Sequence, residues 1–470
     1  MIEDKFLPEG FKTLIGSEIG QNKAEILFSA LCGEQETSVR LNLRKYPEVL
    51  PYPDVTPVAW CRSGFYLTKR PYFTLNPQLH AGVFYVQDAS SMVYESIVGS
   101  IVGDAPISVC DLCAAPGGKT TAMLNALPDG SVMLANEFTS SRANILKENL
   151  CKYGYPDIII TNTDTSRLAA LKGRFDIVAV DAPCSGEGMM RKDETARTQW
   201  SEGLIRQCAD LQRKIIENAV EMLAPGGYLI YSTCTFNTTE DEDNAAWIAE
   251  TFDLRPIDTG LAGKYGIQGE VKGEIPCLRF MPGFTRGEGL FMALFKRPDD
   301  TSVGTGVNNP KKKGKREKAE KIDPKMMSTA KSWIDGNFEI RDHDGRLLAL
   351  SPATASLLDI IPKGVRIISA GVEIGEIKGK DIIPSHWLAM STSIGELFPK
   401  IELSKEEALL YLSKESLKLP ENTPKGYIIA THMGFPLGFL KNLGNRANNL
   451  YPGEWRIKDK RLHLNPDQSC

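Results

Sequence analysis

No apolar run in this 470-residue chain reaches the roughly 18 residues needed to cross a bilayer. The opening residues, Met1-Ile-Glu-Asp-Lys-Phe6, have neither the basic nor the apolar region of a secretory leader. A membrane partner is not expected, and a cytoplasmic location is. An excess of positive charge is also lacking: 55 Lys and Arg face 59 Asp and Glu, a net −4. The total demands no anionic partner, although a local patch still permits one. The ten cysteines are spread from Cys32 to Cys470 and form no dense disulfide pattern, so reduced thiols are expected. Cys110 and Cys113 make a C-x-x-C with no second pair. Cys110 falls inside an apolar strand pattern, so no metal site is expected. Two phosphate-binding spacings are missing as well. Gly118-Lys119-Thr120 ends like a P-loop, but the required glycine five positions earlier is Cys113. The dinucleotide spacing G-x-G-x-x-G does not occur.

What is present is an alternation of strand and helix patterns from about residue 95 to 298, the mark of α/β architecture. Strand one is Val109–Leu112. Strand two is 131–136, strand three 158–161 and strand four 175–180. Ser140–Lys152 reads as a helix closed by Gly154. Leu204, Cys208, Leu211, Ile215, Ala219 and Met222 make one face of a long helix. Pro225-Gly-Gly227 turns into strand five, 228–232, and 289–295 is a late strand. Residues 1–94 form a small α+β domain. There 38–45 alternates like a half-buried strand. Trp60, Phe65, Tyr66, Tyr72, Phe73, Phe84 and Tyr85 accompany Arg62, Lys69, Arg70 and His80. Such a mixture either holds single-stranded nucleic acid or supplies core aromatics. Residues 299–328 read as a flexible linker. Lys311 to Lys325 holds eight basic against three acidic residues, a local excess of five positive charges. A central domain, 329–395, and a β-rich module, 396–470, complete the chain. In them 365–377 and 426–441 read as hairpins, the second with a Gly-Phe-Pro turn. Ser404 caps a helix with Glu407 in capping-box position.

The chain is organised around Ser108–Thr121. A strand ends at Asp111, a Pro-Gly-Gly turn follows, and a helix starts at Lys119. Glycines let backbone approach a ligand, and the helix start offers free N–H groups. In an open α/β sheet such a loop at a strand's carboxyl end is where ligands sit. Strand two is followed by Glu137, strand three by Asp164 and strand four by Asp181. One acid at a strand end is an ordinary turn residue, whereas four consecutive strands carrying a loop or acid at one sheet edge indicate a site. Glu137 stands 26 residues past Asp111, which suits a ribose diol.

Two cysteines join this edge. Cys184 lies in Asp181-Ala-Pro-Cys-Ser-Gly-Glu-Gly188 after strand four, and Cys234 in Ser232-Thr-Cys-Thr235 after strand five. Neighbouring parallel strands lie about 5 Å apart, so both thiols can flank one substrate. A free cysteine is ordinarily an inert small hydrophobe, the reading for Cys32, Cys61, Cys151 and Cys208. Polar, glycine-rich loops at a ligand edge fit that reading badly. A thiol beside a nucleotide-like cofactor suits methylation of cytosine C5. A thiolate added to C6 makes C5 nucleophilic, a carboxylic acid near N3 stabilises the ring charge, and the thiol later leaves. Asp181 is placed for the N3 contact, and Lys119 for positive charge.

Asp111-Leu-Cys-Ala-Ala-Pro-Gly-Gly-Lys-Thr120, Asp181–Gly188 and Ser232-Thr-Cys-Thr-Phe236 together resemble the signature motifs of the Nop/Sun family of RNA cytosine-C5 methyltransferases. The resemblance implies a Rossmann-like core using S-adenosylmethionine. Gly364–Met390, with Pro384-Ser-His-Trp-Leu-Ala-Met390, resembles the central domain of bacterial family members that act on small-subunit ribosomal RNA. Thr431–Pro452 resembles their PUA-like RNA-binding domain. By resemblance, Cys113, Ala114, Ala115, Pro116, Gly117, Gly118 and Lys119 form the cofactor loop. Glu137 is the ribose acid, Asp164 the acid near adenine, and Asp181 touches both cofactor and cytosine. Cys234 is implied as the nucleophile and Cys184 as the thiol that helps release methylated RNA. The sheet-edge argument alone does not rank the two. The expected partner is ribosomal RNA, not DNA. One departure stands out: Met281–Gly289 matches a segment that often has His after Pro, and here it is Gly283. Three other readings are a tRNA cytosine-C5 methyltransferase, a P-loop NTPase and a catalytically inactive RNA-binding protein. ATP binding without S-adenosylmethionine binding would mark the NTPase.

Overall fold

The computed structural model describes residues 7–45, 52–299 and 323–458. Most of the basic stretch Lys311–Lys325, together with Pro51 and Cys470, lies outside them. A mixed sheet carries the site. Seven of its nine strands, in chain order, are β1 (Ser108–Asp111), β2 (Val132–Asn136), β3 (Ile158–Asn162), β4 (Phe175–Asp181), β5 (Leu223–Thr233), β6 (Leu290–Lys296) and β7 (Arg366–Ala370); two short ones, Arg255–Pro256 and Leu278–Phe280, pair with β6. In space the seven run β6-β5-β4-β1-β2-β3-β7. The pairings β1–β2, β2–β3, β1–β4 and β4–β5 are parallel, while β6 and β7 run antiparallel at the flanks. The order reverses between β1 and β4, so the loops leaving these two strands diverge and open a crevice. This is the α/β architecture expected from the alternating pattern, in the Rossmann-like form that the resemblance implied.

The core strands are buried on both faces, which explains their continuous apolar runs. Val109, Cys110, Leu134, Ile159, Val178 and Ile230 are sealed from solvent. The helix Ser140–Tyr153 stops at Gly154, whose φ of +83° only glycine adopts without strain. The long helix Glu202–Met222 buries Ile205, Ala209, Gln212, Ile215, Ile216, Ala219 and Met222. Leu211, expected on that face, is 44% exposed, because the buried stripe lies one residue away.

Three further expectations are corrected. Residues 365–377 are not a hairpin: β7 adds to β3, with Arg366 opposite Asn162, while Val372–Lys378 turns into a separate four-stranded sheet. Gly371, at φ +62°, makes that bend. The strand Thr37–Leu41 is buried along its whole length, Arg40 included, because it is sandwiched against the catalytic core. The Pro225-Gly-Gly227 turn lies within β5 as an irregularity. In the C-terminal sheet, Gly426–His432 and Phe435–Asn442 do pair as a hairpin, though its turn is Met433-Gly434, with Phe435 and Pro436 already in the second strand. The capping box of Ser404 and Glu407 is formed.

The N-terminal aromatics are mostly structural. Trp60, Tyr66 and Phe84 are core residues and His80 is buried, whereas Tyr72 is exposed. The glycine at 283 has a local cause. Its φ is +89°, and an added Cβ would stand 2.8 Å from Ile26 Cγ2 of the N-terminal helix Gln21–Cys32. A larger residue has no room there.

Arg279, from the short strand Leu278–Phe280 paired with β6, is 1% exposed. Its guanidinium meets Glu242 through Nε at 2.7 Å and Asp241 at 3.3 Å, and Nη1 donates to the Phe236 carbonyl at 2.9 Å. Removing one member of a buried charge group strands the others. Arg279→Met should therefore cost about 3–5 kcal/mol of stability. Calorimetry would read this as a clearly lowered melting temperature; an unchanged one would contradict it.

Candidate active site at the sheet edge

The expected residues converge at the carboxyl ends of β1, β2, β4 and β5. After β1 the chain runs through Cys113, Ala114, Ala115 and Pro116 into Gly117, at φ +109°, and the helix Gly118–Ala126 begins. Asn149 Nδ2 and Arg142 Nη2 hold the Pro116 and Ala115 carbonyls at 2.8 and 2.6 Å. The loop is thus fixed from the neighbouring helix. Asp111 is buried, and Thr120 Oγ1 donates to its Oδ2 at 2.7 Å. Its Oδ1 has no hydrogen-bond partner among the described residues. Burial pushes this carboxyl up to about 7.

Lys119 pairs with Asp181 at the end of β4. Ser232 Oγ donates to the same Asp181 oxygen at 2.8 Å, and Tyr94 meets Ser232 at 2.7 Å. Burial alone would lower the Lys119 ammonium, but Asp181 beside it outweighs that and raises it. Lys119 is therefore a fixed cation whose field also reaches Cys184 and Cys234.

The two thiols meet, with Cys184 Sγ and Cys234 Sγ 3.0 Å apart. The backbone N–H of Cys234 also points at Cys184 Sγ, at 3.4 Å. The hydrogen bond with Cys234, then burial, pushes the Cys184 thiol well above its ordinary range. Both cysteines remain partly accessible. Gly188 N donates to the Cys234 carbonyl at 2.7 Å, and a Cβ on Gly188 would press to 2.9 Å of that oxygen. The loops need this glycine in order to touch.

Glu137, after β2, is buried and accepts from Thr139 N at 2.7 Å. Arg142 lies 3.4 Å from it. Asp164, after β3, is more exposed. Oδ1 accepts from Ser166 N and Oγ at 2.9 and 2.6 Å, which holds its carboxyl below the usual range. Sequence reasoning missed four participants. Phe138, next to Glu137, is 70% exposed, an aromatic face open to a planar ligand. Asn162 holds the Glu137 and Phe138 carbonyls at 2.7 and 2.8 Å. Ser232 and Tyr94 complete the Asp181 network. Only Phe138 carried a signal, as a lone aromatic directly after the strand-end acid.

Comparison with known proteins assigns the fold. The model for 16S rRNA methyltransferase RsmB/F matches residues 104–296. The N-terminal domain of 16S rRNA methyltransferase RsmF matches 7–89, and the methyltransferase RsmF PUA domain matches 398–457. Residues 104–296 are thus a methyltransferase domain of the RsmB/F type, flanked by matches to the RsmF N-terminal and PUA domains. Ribosomal RNA small subunit methyltransferase F of Escherichia coli O7:K1 is 29% identical over 97% of this chain and 98% of its own. The protein of the same name from Cronobacter sakazakii is 29% identical over 95% and 96%. Among solved structures, a methyltransferase homologue from Pyrococcus horikoshii is 25% identical with a TM-score of 0.52, covering 61% of this chain and 94% of that one. NSun6 from the same organism has a TM-score of 0.52 at 18% identity, covering 62% and 99%, a likeness of fold.

With these matches the protein is an RNA methyltransferase using S-adenosylmethionine. The P-loop reading is set aside: Lys119 is engaged by Asp181, and the matched family transfers methyl groups. The residues present fit the cofactor. Its sulfonium and ammonium cations suit the free Oδ1 of Asp111. Its ribose suits Glu137, and its adenine suits Phe138 and Asp164.

Two outcomes follow. Glu137→Ala should weaken cofactor binding by about 10-fold or more, the loss of charge-assisted hydrogen bonds, as read by titration calorimetry. Asp111 must ionise to meet a cation, so affinity should rise as pH passes upward through about 7. Asp111→Asn should flatten that rise, and an unaltered pH profile would remove Asp111 from the site.

Proposed function

We propose that the protein methylates C5 of cytosine in small-subunit ribosomal RNA through a covalent adduct between Cys234 and C6. The observation that carries this reading is the 3.0 Å approach of Cys184 and Cys234 beside the Lys119–Asp181 pair. Two thiols at one sheet edge have no use in simple methyl transfer to an amine or hydroxyl. They have one when an unreactive ring carbon must be activated and then released.

The cofactor, when bound, supplies an electrophilic methyl group. The remaining work falls to the chain. Cys234 adds as thiolate to C6, breaking the C5–C6 double bond and placing electron density on C5. Asp181 meets the ring at N3, where charge develops, and Lys119 keeps Asp181 oriented. After C5 has taken the methyl group, loss of the C5 proton to a base restores the double bond and expels Cys234. Cys184, held protonated, is a poor nucleophile, and its S–H lies 3.0 Å from Cys234 Sγ, where it can hydrogen-bond the thiolate that leaves C6. The target cytosine must be unpaired or flipped out to reach both thiols. The outer domains then hold RNA by backbone and shape. The protein would act in the cytoplasm, where its substrate is made. A tRNA substrate would leave this chemistry unchanged.

Cys234→Ala should abolish methyl transfer while cofactor binding survives. Turnover near wild type would sink the assignment. Cys184→Ala should accumulate a protein–RNA adduct that resists denaturing electrophoresis. Bisulfite sequencing with and without the gene then fixes the substrate: lost 5-methylcytosine in 16S rRNA supports the proposal, and loss confined to tRNA overturns its substrate.

A further inference from the structure

We propose that Glu187 and Glu240 are positioning residues that act together as a reciprocal clamp, setting the separation of the two thiols. This rests on the two-thiol reading above. Neither residue touches a thiol. Glu187 lies three residues after Cys184, on that cysteine's loop, and it reaches across to the other loop. Its Oε2 accepts the backbone N–H groups of Phe236 at 2.6 Å and Asn237 at 3.0 Å, the second and third residues after Cys234. Glu240, six residues after Cys234, reaches back. It accepts the Ser185 backbone N–H at 3.0 Å and the Ser185 hydroxyl. Ser185 is the immediate neighbour of Cys184. Each loop therefore hands a carboxylate to the backbone of the other.

Both carboxylates are fully withdrawn from solvent. Neither is neutralised by an ion pair among the described residues. Their partners are hydrogen-bond donors only: Trp200 Nε1 at 2.9 Å on Glu187, and Gln212 Nε2 at 2.7 Å and Asn237 Nδ2 at 2.9 Å on Glu240. Burying two acids without counter-charges is costly. A neutral loop closure would be more stable. A carboxylate offers two acceptor oxygens and no donor, and so can gather several N–H groups at once. That is what two loops with free backbone N–H groups require.

Residues from the N-terminal domain brace the clamp at both ends. Trp200, which donates to Glu187, packs edge-on against Phe11 at 5.8 Å. Glu18, on the helix Glu9–Ile19 that also carries Phe11, accepts from Thr238 N at 3.0 Å and Thr238 Oγ1 at 2.9 Å, on the Cys234 loop. The spacing of the thiols is thus tied to the docking of the N-terminal domain.

The test uses the full-length protein. Glu187→Gln and Glu240→Gln keep size but place an amide NH2 against an N–H donor. Each should lower kcat by at least tenfold, with the cofactor Kd and the KM for RNA within twofold of wild type. A second readout is independent of methyl transfer. Diamide oxidises two neighbouring thiols to a disulfide, itself taking up two electrons and two protons. The rate of Cys184–Cys234 crosslinking therefore measures their proximity. It should fall at least tenfold in either variant, while iodoacetamide labels each thiol no more slowly than in wild type, which shows that both remain accessible. In the double variant the loss should be smaller than the product of the single losses, since the clamp acts as a unit. Should Glu187→Gln fail to fold, Trp200→Phe removes the indole N–H that orients Glu187 and leaves a smaller aromatic ring beside Phe11. It should slow crosslinking severalfold. Wild-type crosslinking and kcat in the variants overturn the clamp. Full activity of Cys234→Ala overturns instead the two-thiol reading beneath it.

Discussion

Two sulfur atoms in non-bonded contact are not a geometry that two loops adopt unaided. Cys184 and Cys234 leave different strands, β4 and β5, and each loop would relax away from the other if only its own turn chemistry acted. What holds them is a set of buried carboxylates that spend their acceptor capacity on loop backbone and hydroxyls. Asp241 takes the hydroxyls of Thr233 and Thr235 at 2.6 and 2.8 Å, the residues on either side of Cys234. Arg279 compensates that charge from beneath. Glu187 and Glu240 cross from one loop to the other. Each such group is expensive to bury, and the cost is borne at the one place where atomic spacing decides chemistry.

The same logic operates more weakly on the cofactor side. Asn162 ends β3 and holds the carbonyls that follow β2, so the acid Glu137 and the open ring of Phe138 are presented by a strand neighbour. Arg366 of β7 meets Asn162 Oδ1 at 3.3 Å and Ser140 Oγ at 3.2 Å. The strand that covers the sheet's open edge comes from beyond the basic linker. It therefore does two things: it satisfies an edge that would otherwise invite pairing with another chain, and it places the C-terminal half of the protein beside Asn162 and Ser140, at the loop that follows β2. The N-terminal half does the corresponding thing at the thiols through Phe11, Trp200 and Glu18.

Much of this was legible in the amino-acid order. Strand alternation, the glycine turn after Asp111 and the acids after successive strands located the site without coordinates, because parallel topology forces all such loops to one edge. The motifs around Cys184 and Cys234 did the rest. What was not legible shares one property: it depends on partners distant in sequence. β7 read as half of a hairpin because Arg366–Ala370 has local strand character, and nothing local shows that its partner is β3. Arg40 sat in a pattern of alternating polarity, yet it is buried through Gln87 and Thr121 at 2.7 and 2.6 Å. Glu187 stands between two glycines in the Cys184 motif and carries no local signal of its own. Its role appears only when Phe236 and Asn237, some fifty residues on, are brought beneath it.

The acidic total also takes on a different meaning. A net −4 sits awkwardly with an RNA substrate if every carboxylate is counted as surface charge. Several are not on the surface. Burial raises Asp111 and Glu187 to about 7 and Asp241 well above its ordinary value. Glu240, Asp157 and Glu288 are raised for the same reason. Their fields are spent on internal donors and cations, and at neutral pH some carry no full charge. An RNA strand meets the exposed groups only, and a phosphate backbone responds to local potential, not to a sum over the chain. The carboxylates that make the composition look unsuited to RNA include those that build the site in which the RNA would react.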